Sequence, residues 1–437
     1  MLRWMLIVLS GGLLCLSAVA QGPSDLLAND PDVSQFAAWL AETHVTLPPD
    51  APSTLFVPTN EAIESLPRGV LSILNSDSVL LMRVLQYHIV GSALPSDALE
   101  SGTLPTQEGD SLTIVHTEQG ITVDGVLITA PDVSTEGFIV HKIDGLLIPP
   151  ITLPSVDPIE INGDIVTAGS STVHPLTQRM ADVFSEQGYS DTILVDNVGT
   201  GVGFERFCIS ADTDIANASR AIKEEEREAC LANDREPIEF RVGTDALAIV
   251  VSSNNDFVDS LTLEELASVF GGAETWQDVR AEWPAEPINL FSPGTDSGTF
   301  DYFVEEVFGA DPALMLATEP TMSEDDEVLV RGAEDDIYAI AYFGYAYYQN
   351  HADRLKLVPI DGILPSEVSA ENGTYPLARP LYIYSAALIL AEKPEVAAFI
   401  AFYLDHVNED IQSVGYFPAS ERALNLGRLA WLAAEAS

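Results

Sequence analysis

Positive charge is what this 437-residue chain has least of: 19 Lys plus Arg stand against 67 Asp plus Glu, a formal net charge of −48. Such a surface repels nucleic acid and anionic lipid at long range, which excludes nucleic acid as a partner, and it favours solubility in salt. Cysteine is scarce too, with three residues in all. Beyond the first twenty residues no apolar run qualifies as a membrane span; the best stretch, residues 384–404, is broken by Glu392-Lys393-Pro394-Glu395. No repeat of solenoid period occurs. The apolar content, 47%, is ordinary for a globular protein. The length exceeds what one core sustains, so two or more domains are expected.

Residues 1–20 read as an export signal. Arg3 gives the positive start, an apolar run follows through Leu16, and Ala18-Val19-Ala20 is a small-x-small cleavage site. Removing the segment takes away Arg3, its only charge, and leaves −48 − 1 = −49 on the mature chain. Cys15 argues weakly for lipidation, because Leu13-Leu14 stands where a small residue precedes a lipidated cysteine. The mature protein is expected in the periplasm, in the cell envelope or outside the cell. In that oxidising setting the two cysteines left, Cys208 and Cys230, are expected to form a disulfide worth about 3 kcal/mol in the chain-entropy model. The alternative is two buried free thiols.

The run Leu147-Ile-Pro-Pro-Ile-Thr-Leu-Pro154 divides the mature chain, since consecutive prolines stop helices and cannot donate to a sheet ladder. Ahead of it, periodicity predicts helices over 32–40 and 79–87 and strands at 54–58, 112–116 and 138–143, with Thr59 or Asn60 capping a helix. Three blocks then stand in order: Thr54-Leu-Phe-Val-Pro-Thr-Asn-Glu-Ala62, Leu85-Gln-Tyr-His-Ile-Val-Gly91 and Gly137-Phe-Ile-Val-His-Lys-Ile-Asp-Gly-Leu-Leu-Ile-Pro149. They resemble the signature blocks and central Tyr-His of fasciclin-type domains. The resemblance covers residues 23–150 and implies an α+β wedge used for adhesion or protein contact. It also implies that Tyr87 and His88 are structural and not chemical.

After the divide, strand-like runs alternate with helical ones, which argues for parallel sheets with crossover helices. Three of these strands, at 164–168, 192–195 and 288–291, run into short polar stations: Gly169-Ser-Ser-Thr-Val173, Gly199-Thr-Gly-Val-Gly-Phe204 and Ser292-Pro-Gly-Thr-Asp-Ser-Gly-Thr-Phe300. Hydroxyls and free backbone N–H groups gather at such helix starts, beyond the carboxyl ends of strands, where anions bind. In the third, Phe300, Phe303, Val304 and Val307 form one apolar stripe and leave Ser297-Gly298-Thr299 at the open first turn. A Ser/Thr/Gly helix start is usually only a cap; three in the same context weigh more than one.

The same stations, with Asp214-Ile-Ala-Asn-Ala-Ser-Arg220 and, further on, Ala339-Ile-Ala-Tyr-Phe-Gly-Tyr-Ala-Tyr-Tyr348, Tyr375-Pro-Leu-Ala-Arg-Pro-Leu381 and Gly415-Tyr-Phe-Pro418, resemble the phosphate-binding proteins of ABC importers. The match runs over 158–437, after a linker at 151–157. It implies a two-lobed α/β fold of the periplasmic-binding-protein-like type II class, the second lobe near 246–375. It further implies a cleft closing on one inorganic phosphate, and ABC transporter membrane subunits as partners. The positions it brings to the ligand are Ser170, Ser171 and Thr172, Thr200 and Gly201, Ser219 and Arg220, and Ser297, Gly298 and Thr299. Some members carry an arginine just ahead of the Ser-Gly-Thr block and an aspartate after the Ala-Ser pair, where this chain has Pro293 and Arg220. Arg220 either supplies that guanidinium or pairs with Glu224 to Glu226. The carboxylate acceptor that would separate protonated phosphate from sulfate is then Asp296 or Asp245.

An enzyme is not expected, and no catalytic residue is assigned. Gly294-Thr-Asp-Ser-Gly298 is not the Gly-x-Ser-x-Gly elbow and has no evident His and acid partners. Acidic pairs such as Asp325-Asp326 lack calcium-hand spacing, so neither metal nor cofactor is expected. The competing reading is a secreted adhesion or matrix protein whose cleft is vestigial or holds another oxyanion.

Overall fold

The computed structural model describes residues 27, 29–45, 52–117, 119–135, 138–295 and 297–436. Residues 1–20, read as an export signal and including Cys15, and Asp296 lie outside the described residues. Contacts divide the chain into two units, one of residues up to 65 together with 78–146, the other of 66–77 together with 147–437.

In the first unit a seven-stranded sheet runs in the order β2-β1-β7-β6-β5-β4-β3. Its strands are β1 (Ser53–Pro58), β2 (Ile89–Val90), β3 (Gly102–Pro105), β4 (Ser111–Thr117), β5 (Gly120–Val123), β6 (Val126–Thr135) and β7 (Phe138–Ile143). Only β1 and β7 pair in parallel; the other pairings are antiparallel. β1 is buried along its whole length, as β-branched and aromatic residues between two neighbours should be. Helices Ser34–Thr43 and Ser78–Tyr87 pack together, burying Phe36, Trp39 and Leu40 from one and Leu81, Val84 and Leu85 from the other. Thr59 caps helix Asn60–Glu64 by accepting from Ala62 N, while Asn60 ties back to Gln35 N and Pro31 O. Tyr87 donates to Asp124, and His88 Nδ1 bonds Val84 O with its ring against Phe36. Both side chains are thus engaged in holding the fold.

In the second unit the strands are β8 (Ile165–Gly169), β9 (Ile193–Asn197), β10 (Ile215–Ala218), β11 (Pro237–Ser252), β12 (Asn289–Pro293), β13 (Thr321–Ser323), β14 (Ala339–Gly344), β15 (Leu355–Leu357) and β16 (Ala378–Ala386). Their order is β13-β12-β14-β11-β16-β10-β8-β9, with β15 also on β11. The 16-residue strand β11 crosses between two lobes: residues 237–246 pair with β16 in the first, and 247–252 pair with β14 and β15 in the second. β8 with β9 and β10, and β12 with β13 and β14, are parallel as the strand-helix alternation predicts. The strands that carry the chain between lobes enter antiparallel, because a returning chain runs against its neighbours.

Each lobe has an aromatic core. Phe184 meets Phe399 and Phe402 in the first; Phe303 stacks on Tyr342 with ring centroids 3.9 Å apart in the second. A third passage between lobes follows helix Pro394–Val414. Phe417, just beyond its Gly415 cap, joins the core of the second lobe before helix Glu421–Glu435 begins. The proline-rich run forms neither helix nor strand, and it does not hang free: Leu147, Ile148, Ile151 and Leu153 are buried, and Ile151 N donates to Asn425 Oδ1. No helix among the described residues is long and apolar enough to cross a membrane.

Candidate functional site

The first two stations meet at the ends of the parallel strands β8 and β9. Gly169 closes β8 with φ 150°, and a Cβ there would fall 2.1 Å from Asn217 O, so only glycine lets β10 approach. Its carbonyl accepts from Val198 N and Gly199 N, which fixes the second station beside the first. Ser170 Oγ accepts from Thr172 N and Val173 N at the entry to helix His174–Glu186. Thr200 opens the short helix Thr200–Glu205, and its hydroxyl lies 3.3 Å from both Ser219 N and Ser219 Oγ. Strand β10 therefore delivers Ser219 to the same spot.

The third station arrives from the other lobe. Helix Gly298–Phe308 follows β12, burying Phe300, Phe303 and Val304, with Val307 half-buried. A Cβ on Gly298 would lie 2.9 Å from Ser171 Oγ and 3.2 Å from Thr172 Oγ1. The two jaws are that close.

Together they bound a cleft of about 500 Å³ lined by Ser170, Ser171, Thr172, Thr200, Gly201, Ser219, Arg220 and Gly298 from the sequence-predicted set. Ser297 and Thr299 are not part of that lining; Ser297 Oγ caps its own helix by accepting from Thr299 N at 3.2 Å. Arg220 reaches the lining while its guanidinium is held by both oxygens of Glu226, at 2.7 and 2.8 Å, and lies over the Phe204 ring. Those bonds raise the Arg220 pKa. Burial pushes Glu226 up, but Arg220 and Lys223 N outweigh it and the carboxylate ends below its usual range. Asp245 does not line the cleft: it is 2% exposed and stands behind another residue, Arg379.

Arg379, from the Tyr375–Leu381 block, is the cation that residue spacing did not single out. It is 8% exposed, directly opposite Asp245 on the paired strands β11 and β16. Nε and an Nη donate to Asp245 Oδ2 at 3.1 and 3.0 Å. The same Nη donates to Thr172 Oγ1 in one lobe and to Gly298 O in the other, 3.2 Å away, and the guanidinium lies 3.8 Å from the Tyr302 ring centroid. One buried cation thus touches both jaws. Burial raises the Asp245 pKa against the pull of Arg379. Asp301, Glu305 and Glu306 add carboxylates to the cleft. Burial raises Asp301, with Arg379 opposing and Glu305 reinforcing.

Cys208 and Cys230 are joined in a disulfide beside this region. Among the described residues no cluster of His, Cys, Asp or Glu is arranged to hold a metal ion. Chemically, the cleft offers hydroxyls, helix-start N–H groups and a carboxylate-backed guanidinium, which is an arrangement for holding an oxyanion.

Comparison with known proteins agrees in family. Residues 31–149 match the Fasciclin domain and residues 154–406 match the PBP superfamily domain. Protein SphX of Synechocystis sp. is 40% identical over 284 residues, 63% of this chain and 84% of that protein. Phosphate-binding protein PstS of Staphylococcus haemolyticus is 32% identical over 269 residues, 60% of this chain and 83% of its own length. A solved structure from Planctomyces limnophilus, titled as "a possible phosphate binding protein", superposes with a TM-score of 0.57 at 35% identity, over 63% of this chain and 99% of that one. The chain belongs to the PBP superfamily, with SphX and PstS proteins among its homologues and a Fasciclin domain ahead of the binding fold.

Proposed function

We propose that the chain is an extracytoplasmic receptor that captures inorganic phosphate between its two lobes for the membrane subunits of an ABC importer, with the fasciclin domain tethering it to envelope or matrix. The observation that carries this reading is Arg379, a buried guanidinium held by Asp245 and positioned between the hydroxyl of Thr172 and the start of helix Gly298–Phe308. Two ion pairs, Arg379 with Asp245 and Arg220 with Glu226, bring no net charge. A phosphate in the cleft would therefore be held mainly by directed donors: Ser170, Ser171, Thr172, Thr200, Gly201, Ser219, Gly298 and the first turn behind Ser297 and Thr299. Arg220 is the second guanidinium, presented from the lining.

Asp245 is committed to Arg379; of the carboxylates within the lining Asp301 takes the acceptor role toward the phosphate proton, with Asp296 of the third station as the other candidate. The homology to phosphate-binding proteins supports the ligand class. The strongly acidic surface does not oppose it, since exposed charges are screened beyond about 8–10 Å at physiological salt while the donors act at contact.

Calorimetry on the mature chain tests the reading. Phosphate is expected to bind at micromolar concentration or tighter and sulfate far more weakly. A chain that gives no heat with phosphate refutes it, and tight sulfate binding would remove Asp301 from its assigned role.

A further inference from the structure

The block Gly415-Tyr-Phe-Pro418 lies outside the cleft lining, yet it touches both lobes beside the cleft. Tyr416 donates its hydroxyl to Thr172 O at 2.8 Å. Thr172 is the residue whose side chain accepts from Arg379, so its carbonyl and its hydroxyl are gripped from different segments. Phe417 is built into the second lobe: it is 8% exposed within that core and stacks on Tyr345 with centroids 4.7 Å apart. Its backbone exchanges two hydrogen bonds with Thr244, at 2.8 and 3.0 Å. Thr244 immediately precedes Asp245 on the crossing strand. Burial pushes the Tyr416 phenol well up, and Asp245 and Arg379 are among the charges acting on it.

We propose that this strap positions the cleft, with Phe417 fixing it to the second lobe and Tyr416 holding the first ligand station in line through the Thr172 carbonyl. Thr172 follows β8 in the first lobe, whereas the Phe417 ring sits in the core of the second lobe and its backbone is bonded to Thr244 where β11 crosses, so the hydrogen bond between strap and station is made when the lobes are in register. Tyr416 is a positioning residue, acting on the ligand through Thr172. The inference rests on the oxyanion reading of the cleft, and its test separates the two.

The test compares Tyr416→Phe with Tyr403→Phe in the full mature chain. Tyr403 is a control of the same kind, a buried tyrosine of the first lobe whose hydroxyl lies 3.2 Å from Thr177 Oγ1. Tyr416→Phe keeps the ring and leaves a carbonyl without its donor, so stopped-flow release of inorganic phosphate should be about tenfold faster with association unchanged. Hydrogen exchange of amides 170–174 in the ligand-free chain should speed up as well. Tyr403→Phe should move neither. Phe417→Leu, which keeps an apolar anchor but loses the stack, should move both readings in the direction of Tyr416→Phe. Wild-type exchange at 170–174 in Tyr416→Phe overturns the inference whether or not phosphate binds, and wild-type release overturns it when phosphate does. A wild-type chain that binds no phosphate counts against the oxyanion reading alone, and exchange then decides the strap.

Discussion

Replacing Arg379 with methionine removes the guanidinium but keeps an unbranched apolar stem in place of its methylenes, and two separate losses should follow. The first is structural. Asp245, 2% exposed, loses its partner; breaking a buried pair from one side costs about 3–5 kcal/mol. At about 2 °C per kcal/mol for a domain of this size, the melting temperature should fall by about 6–10 °C. The second loss is functional. A buried charged hydrogen-bond partner of the ligand is worth about 2–5 kcal/mol when truncated, so phosphate affinity should fall at least about 30-fold. The double variant Asp245→Leu with Arg379→Met separates them, because replacing a buried pair by apolar side chains is often neutral or stabilising. Its melting temperature, read by differential scanning calorimetry, should return close to wild type. Phosphate binding, read by titration calorimetry, should not return. A double variant that binds phosphate as tightly as wild type, or a single variant that melts within about 2 °C of it, refutes the assignment of Arg379.

Other outcomes follow from the same geometry. Gly298→Ala should leave the melting temperature within about 2 °C, since alanine suits a helix, but weaken phosphate about tenfold, because the new Cβ keeps the jaws apart or displaces the Ser171 hydroxyl. Reducing the Cys208–Cys230 bond should cost about 3 kcal/mol for a loop of its length, read as a lower urea midpoint with and without reductant. Asp326 is raised to about 6 by burial and its acidic neighbours Asp325 and Glu324. The folded state therefore holds more protons than the unfolded state between about pH 4 and 6, and stability falls as pH rises through that window. Asp326→Asn should gain about 1 kcal/mol at pH 7 and nothing at pH 3.5, by urea melts at both values.

The parts of the site legible in the sequence are those carried by local order. Each station follows its strand directly, so a strand-like run ending in glycine and hydroxyls locates Ser171, Thr200 and Gly298 without knowledge of the fold. Ser219 is legible through its place after Asp214-Ile-Ala-Asn-Ala218. Arg379 is not, because its meaning depends on cross-strand register: only the pairing of β11 with β16 sets it opposite Asp245, 134 residues away. Within its block Arg379 reads like any strand-edge arginine, although Pro380 behind it and a chain so poor in basic residues are signals that could have drawn attention. Arg220 shows the reverse. Its pairing was decided six residues downstream, where Glu226 bonds both Lys223 N and the guanidinium. Helices Ser34–Thr43 and Ser78–Tyr87 are legible because their apolar spacing is regular, whereas Arg68–Ser76, which belongs to the second unit and buries only Val70 and Leu74, has too short a stripe.

The buried proline-rich run has a mechanical consequence. A force applied toward the amino terminus enters the second unit first at residues 66–77, whose helix Arg68–Ser76 packs on helix Glu421–Glu435, and from residue 147 it must strip Ile148, Ile151 and Leu153 from their burial and break the bond from Ile151 to Asn425. Asn425 also lies in helix Glu421–Glu435, so both entry points load the fold at its last helix. Neither entry point lies on a strand that carries a ligand station. A chain held by its amino-terminal part is therefore loaded at that helix and not at the stations themselves.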